Sequence, residues 1–199
     1  MPRRRRPAAG FSLIELLMVI ALLAVLVGLV LPNSNPTLHD QVRSMAQILR
    51  TDLAYARSLA VTNNSLYEIA FDTEDNRYVL RHSGGNAALD ELPESPFRSP
   101  GDPSDEHIVD LNELPHLGPG VRILTVVALG VSPSRVTDVE FGPLGETTRS
   151  SPTAIWLAVA RGEATRYMTV TVDPVTGLAE VGGFTSVGPA EALISAGGG

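Results

Sequence analysis

At 199 residues the chain has room for one modest globular domain and a separate hydrophobic segment. Its net charge is −7 and all its basic residues are arginines, a balance that argues against a phosphate-backbone partner. With no cysteine it has neither disulfides nor thiolate metal sites, so any domain must stand on its core alone.

The N-terminus opens on Arg3, Arg4, Arg5 and Arg6, followed by Gly10-Phe11-Ser12-Leu13-Ile14-Glu15-Leu16 and an unbroken apolar run to Leu31. Counted from Phe11, the run is roughly 20 residues, long enough to cross a hydrocarbon core of ~30 Å as a helix. Arginines ahead of the span keep the N-terminus cytoplasmic and send the remainder across. Glu15 is the anomaly. A carboxylate at membrane depth costs on the order of a few kcal/mol and usually has a partner, although at headgroup level it would only mark the end of the span. A secretory signal needs a small-residue site after its apolar core, and Leu31-Pro32-Asn33 is not one. Pro7-Ala8-Ala9-Gly10 is a poor match to a twin-arginine signal. A plain anchor gives no role to Gly10 or Glu15.

This stretch resembles the class III signal of type IV prepilins and type II secretion pseudopilins. The resemblance implies that prepilin peptidase cuts between Gly10 and Phe11 and N-methylates Phe11. Residues 1–10 would be the leader, and losing its four arginines would take the net charge from −7 to −11. Residues 11–31 would be the transmembrane and assembly helix, with Pro32 at a position where pilins often carry a helix-loosening proline. Glu15 matches the family's glutamate and lies about one helical turn past the new N-terminal amine. A neighbouring helix shifted along the axis can bring its cationic N-terminus to Glu15, offsetting the cost of burying either charge and favouring one stagger.

Pro32 and Pro36 break or kink the chain at the membrane exit. Thr37 with Asp40 three residues on reads as a capping pair. Leu38, Val42, Met45, Ile48, Leu49, Leu53, Ala56, Leu59 and Ala60 then recur at helical spacing, so residues 32–64 hold the kink and an amphipathic helix ending near Asn63-Asn64. Its apolar face suits packing on a domain core. From residue 65 the character is β. A hairpin is expected over 66–72 and 77–82, with an acidic joint at 73–76 whose composition suits a solvated turn better than a calcium site. Residues 84–106 read as a long loop. Further strands are expected over 108–111, 121–129, 136–141 and 154–160, then a hairpin of 167–172 and 178–181 around Asp173-Pro174-Val175-Thr176-Gly177. Residues 182–199 read as a flexible tail.

Three of these stretches resemble GspH/FimT-type minor pseudopilins: Ala54-Tyr55-Ala56-Arg57-Ser58-Leu59-Ala60, Val139-Glu140-Phe141-Gly142-Pro143-Leu144-Gly145, and 173–177. The implied fold is α+β and pilin-like, a long N-terminal helix leaning on two antiparallel sheets in a periplasmic domain over 65–181. The implied role is a minor pseudopilin of a type II secretion system, at or near the tip of a periplasmic pseudopilus. A FimT-like minor pilin of a type IV pilus, acting in DNA uptake, adhesion or motility, is the alternative. The expected partners are prepilin peptidase, other major and minor pseudopilins, the inner membrane and a secreted protein. DNA is not expected, although Arg161 with Arg166 could form a local patch. The expected location is the bacterial inner membrane, single-pass, with the C-terminal domain periplasmic.

No catalytic constellation is legible. His39, His82, His107 and His116 are scattered, and Ser132 and Ser134 lack the second glycine of a nucleophile elbow. No cofactor is expected, and the chain reads as a non-enzyme.

Overall fold

A computed structural model describes residues 12–30, 37–93, 101–114, 120–161 and 164–189. The chain divides into two compact units, Met1–Asn35 and Pro36–Gly199.

In the first unit, helix α1 runs Leu13–Val30. Its first turn hangs on the Ser12 carbonyl, which accepts from the Glu15 and Leu16 amides at 3.0 and 3.1 Å.

The second unit opens on α2, Leu38–Asn63. Thr37 and Asp40 form the expected capping box: the Asp40 amide donates to Thr37 Oγ1 at 3.2 Å and the Thr37 amide to Asp40 Oδ2 at 3.3 Å. Asn64 ends the helix in the left-handed conformation, φ +48°, and the Ser65 amide returns to the Ala60 carbonyl. Val42, Met45, Ala46, Leu49, Leu53, Ala56, Leu59 and Ala60 are buried, one contiguous face at helical spacing.

Among the described residues, nine strands form two antiparallel sheets. Sheet 1 has the order β3-β2-β1-β6, with β1 Tyr67–Asp72, β2 Arg77–His82, β3 Glu106–Asp110 and β6 Asp138–Phe141. Sheet 2 has the order β5-β4-β7-β8-β9, with β4 Val121–Ala128, β5 Ser134–Val136, β7 Thr153–Arg161, β8 Ala164–Val172 and β9 Ala179–Val181. Helix α2 packs against β1 in sheet 1 and β7, β8 and β9 in sheet 2. Tyr67, Tyr78 and Phe141 meet Leu49, Leu53, Ile155 and Leu157 in one core, and every residue of that core belongs to the second unit. At about 1.5–3 kcal/mol per large apolar side chain, such a core gives the unit its own reason to fold.

The strand expected over 136–141 is two strands in two sheets. Val136 pairs with Val126 in sheet 2, Asp138 pairs with Ala70 in sheet 1, and the Thr137 carbonyl between them accepts from the Phe71 amide at 2.7 Å. The change of sheet coincides with a slip in the alternation: Thr137 and Asp138 are two polar residues in a row, so Val136 is out of phase with Val139 and Phe141, a break that a reading of one strand over 136–141 passes over.

Asn76 makes a second tie between the sheets. It closes the β1–β2 turn at φ +58°, and its side chain is buried. Its Oδ1 accepts from the Ile123 amide at 2.9 Å and its Nδ2 donates to the Val121 carbonyl at 3.0 Å, so the amide stands in for a strand partner of β4. The loop after β2 holds a 3-10 turn, Ala87–Leu89, and buries Leu92, whose amide donates to the Ser104 carbonyl. Beyond β9, the stretch read as a flexible tail is tied to β8 as far as Thr185. The Gly182 amide donates to the Thr169 carbonyl, and Thr185 and Tyr167 exchange backbone bonds at 2.8 and 2.9 Å.

Candidate assembly surfaces

Helix α1 is apolar on every side. From Leu13 to Val25 its side chains are exposed, with Leu13 at 76% and Val25 at 63%. Ten large aliphatic residues at about 1.5–3 kcal/mol each leave roughly 15–30 kcal/mol to be gained by covering them, so this helix requires lipid or other helices around it. Glu15 is its acidic residue, in the first turn, and is exposed among those aliphatics. Gly10 and Phe11 lie outside the described residues. Among the described residues, no helix is long and apolar enough to cross a membrane. At 18 residues α1 is about 27 Å long, just short of a ~30 Å core.

The second unit brings together three stretches that are far apart in the chain. Arg57, half-buried on the flank of α2, donates through Nε to the Gly145 carbonyl at 3.0 Å and to the Thr176 carbonyl at 2.7 Å. The two turns also touch each other. The Thr147 amide donates to the Pro174 carbonyl at 2.8 Å. Gly145 (φ +86°) and Gly177 (φ +63°) need their glycines twice over. Each is left-handed, and a Cβ on Gly177 would sit 2.0 Å from the Gly145 oxygen. Asp173 Oδ1 shapes its own turn, accepting from the Val175 and Thr176 amides and from Thr176 Oγ1, which holds its carboxyl below the usual range. The rigid product presents Leu144 and Val175 to solvent, 87% and 78% exposed.

These are the three stretches whose patterns suggested a minor pseudopilin, and a family model described as Type II transport protein GspH matches residues 45–177, spanning all of them. The chain belongs to the GspH family. A second model, the prokaryotic N-terminal methylation motif, matches residues 5–31. Two solved structures are similar at 15% identity. The minor pseudopilin EpsH from the type 2 secretion system of Vibrio cholerae matches over 71% of this chain and 96% of that one, with a TM-score of 0.49. The type IV minor pilin FimU of Pseudomonas aeruginosa matches over 74% and 91%, with a TM-score of 0.43. No curated protein matches.

GspH proteins are structural components of the pseudopilin and pilin class, not enzymes, and the polar clusters here have structural roles. His82 sits between Asp90 Oδ1 at Nδ1 and Ser65 Oγ at Nε2, each 2.7 Å away, the connectivity of a Ser–His–Asp triad. Its ring is fully buried, however, and Gly84 lies so close that a Cβ there would sit 2.4 Å from Ser65 Oγ. The Ser65 amide is spent on Ala60, so it is no oxyanion donor. The set instead pins the loop after β2 to sheet 1. Sequence reasoning missed it because Asp90 lies in a loop and neither spacing matches a motif.

On the other side of the core, Tyr78 donates its hydroxyl to Asp52 of α2, tying helix to sheet. Burial raises the carboxyl of Asp52 and pushes the Tyr78 hydroxyl well above its usual value. His39 stacks edge-on against Phe184, and His116 lies outside the described residues. No group of three or more potential metal ligands occurs among the described residues. Ser132, on the β4–β5 connection, and Ser134, at the start of β5, are both exposed. Arg166 donates to the Thr165 carbonyl, and the side chain of Arg161 lies outside those described.

Proposed function

We propose that this protein is a minor pseudopilin of a type II secretion system, cut by prepilin peptidase between Gly10 and Phe11 and N-methylated on Phe11. The supporting observation is a basic leader and methylation motif joined to a GspH domain in one chain. The mature chain inserts once in the inner membrane through residues 11–31, carries its domain in the periplasm and joins other pseudopilins near the filament tip. Glu15 sets the stagger of neighbouring helices, because an adjacent N-terminal amine brought to its level offsets the cost of a carboxylate among aliphatics. The domain works as a rigid contact unit for neighbouring subunits and exported protein. The acidic chain disfavours a DNA-binding role.

Intact-mass measurement on the membrane fraction tests this. The expected mass is that of a chain starting at a methylated Phe11, and Gly10→Val should leave the full-length precursor. A mature start near Asn33 would show an ordinary signal peptide and refute the reading.

A further inference from the structure

The charges of α2 are segregated. Its basic residues are Arg43, Arg50 and Arg57, and its acidic residues are Asp40 and Asp52. The arginines follow one another at seven-residue intervals, which places them about 10.5 Å apart with only ~20° of drift per step, a single stripe along one flank. That flank faces β9, since Arg50 Nε donates to the Ala179 carbonyl at 3.0 Å. Among the described residues, no carboxylate pairs with any of the three arginines, and exposed Glu180 on β9 is no exception. The other carboxylates around the helix are engaged elsewhere. Asp40 closes the helix cap, Asp52 accepts from Tyr78 on the sheet 1 side, and Asp173 shapes its own turn.

Arg43 and Arg50 are exposed, and beside them the exposed ridge of Ser44, Gln47, Thr51, Ala54, Ser58 and Val61 is uncharged. Arg50 is also preorganised. Its Nε bond fixes the stem and leaves both η nitrogens for a carboxylate, so little rotamer freedom is lost when one arrives. The spacing selects the shape of that partner. Carboxylates seven residues apart on a helix stand ~10.5 Å apart and match the stripe, whereas same-side residues of a strand stand at multiples of ~6.7 Å and do not. A second copy of α2 cannot supply them. Its two carboxylates are held in the cap and at Tyr78, and its arginine stripe would meet the same charge.

We propose that the Arg43–Arg50 flank of α2 seats an acidic helix of a different protein chain, with carboxylates at seven-residue spacing, and rejects a second copy of itself. Opposite charge steers and registers the right partner, and like charge penalises the wrong one. Rejection of its own copies suits a subunit used sparingly in an assembly. Only the identity of the partner as another pseudopilin rests on the proposed function.

The test uses the domain over residues 36–199, whose core is self-contained. The probe is a fluorescent helical peptide of about three heptads, with Glu once per heptad and Ala, Leu and Gln elsewhere, set beside the same peptide with Lys in place of Glu. Anisotropy at about 0.01 M salt should show the Glu peptide binding about tenfold or more tighter than the Lys peptide, with the difference gone at about 1 M, where the Debye length falls from ~30 to ~3 Å. Arg43→Glu with Arg50→Glu should exchange the preference. Arg43→Glu alone, which leaves the Arg50–Ala179 bond in place, should weaken the Glu peptide about threefold or more. Arg122→Glu, a reversal at an exposed residue of β4, should change neither. A Glu peptide bound no tighter than the Lys peptide overturns the proposal. So does a double reversal that keeps the wild-type preference, or a loss as large with Arg122→Glu. Self-association of the wild-type domain that Arg43→Glu abolishes also overturns it, because the flank would then accept its own copy. Failure of processing at Gly10 would refute the proposed function and leave this contact standing.

Discussion

Replacing Arg57 by alanine should loosen the two turns that the GspH-type patterns mark. Its Nε–H is shared between the Gly145 and Thr176 carbonyls at 3.0 and 2.7 Å. A hydrogen bond from a charged donor is worth about 1.5–3 kcal/mol, and one shared donor gives less than twice that, so about 3 kcal/mol is the expected loss. In a domain of this size each kcal/mol moves the melting temperature by about 2–4 °C, giving a fall of about 6–12 °C. Thermal unfolding of residues 36–199 reads the total, and amide exchange locates it. The Thr147 amide, bonded to Pro174, and the Gly177 amide, bonded to Asp173, should exchange faster, while the Ser83 amide bonded to Leu66 keeps its protection. Arg57→Lys should recover less than half of the loss, because an ammonium cannot reproduce the Nε geometry. A fall under about 2 °C, with unchanged exchange in both turns, would refute the idea that Arg57 holds them together.

Asn76→Ala should cost about 2–4 kcal/mol in urea unfolding, since it strands the Ile123 amide and the Val121 carbonyl inside the protein; a loss below about 1 kcal/mol would mean that water or a backbone shift replaces the amide. Asp52→Asn should change the pH dependence of stability. Burial raises the folded-state value of Asp52 above 3.8, so the folded state holds its proton where the unfolded state has lost it, and stability falls as pH rises through that window. The variant, still able to accept from Tyr78, should lack that slope and be at least as stable as wild type at pH 7; an unaltered pH profile would contradict the assignment.

The parts of the fold legible in sequence were those governed by local physics. Thr37 with Asp40 and the 3.6-residue spacing of Val42 through Ala60 located α2, and the alternation around 73–76 located the first hairpin. The tertiary ties were not legible. At Thr137-Asp138 the alternation slips by one residue, but a slip alone reads equally as a bulge within one strand and does not say that the chain changes sheets. Asn76 reads as an ordinary turn residue, and only the approach of β4 reveals its second role. Arg57 was visible as part of a family pattern, yet its partners lie 88 and 119 residues away.

The proposed assembly of α1 beside like helices depends on a charge pair at Glu15. Crosslinking of full-length protein to neighbouring pseudopilins in membranes, with Glu15→Gln set beside wild type, tests it most directly. Glutamine keeps the shape and removes the charge, and insertion should become easier because a carboxylate no longer enters the apolar phase. The Glu15→Gln chain should be cut at Gly10 and accumulate in the membrane yet yield little crosslinked product. Crosslinking at the wild-type level would contradict it and leave Glu15 as a mere marker of the membrane boundary.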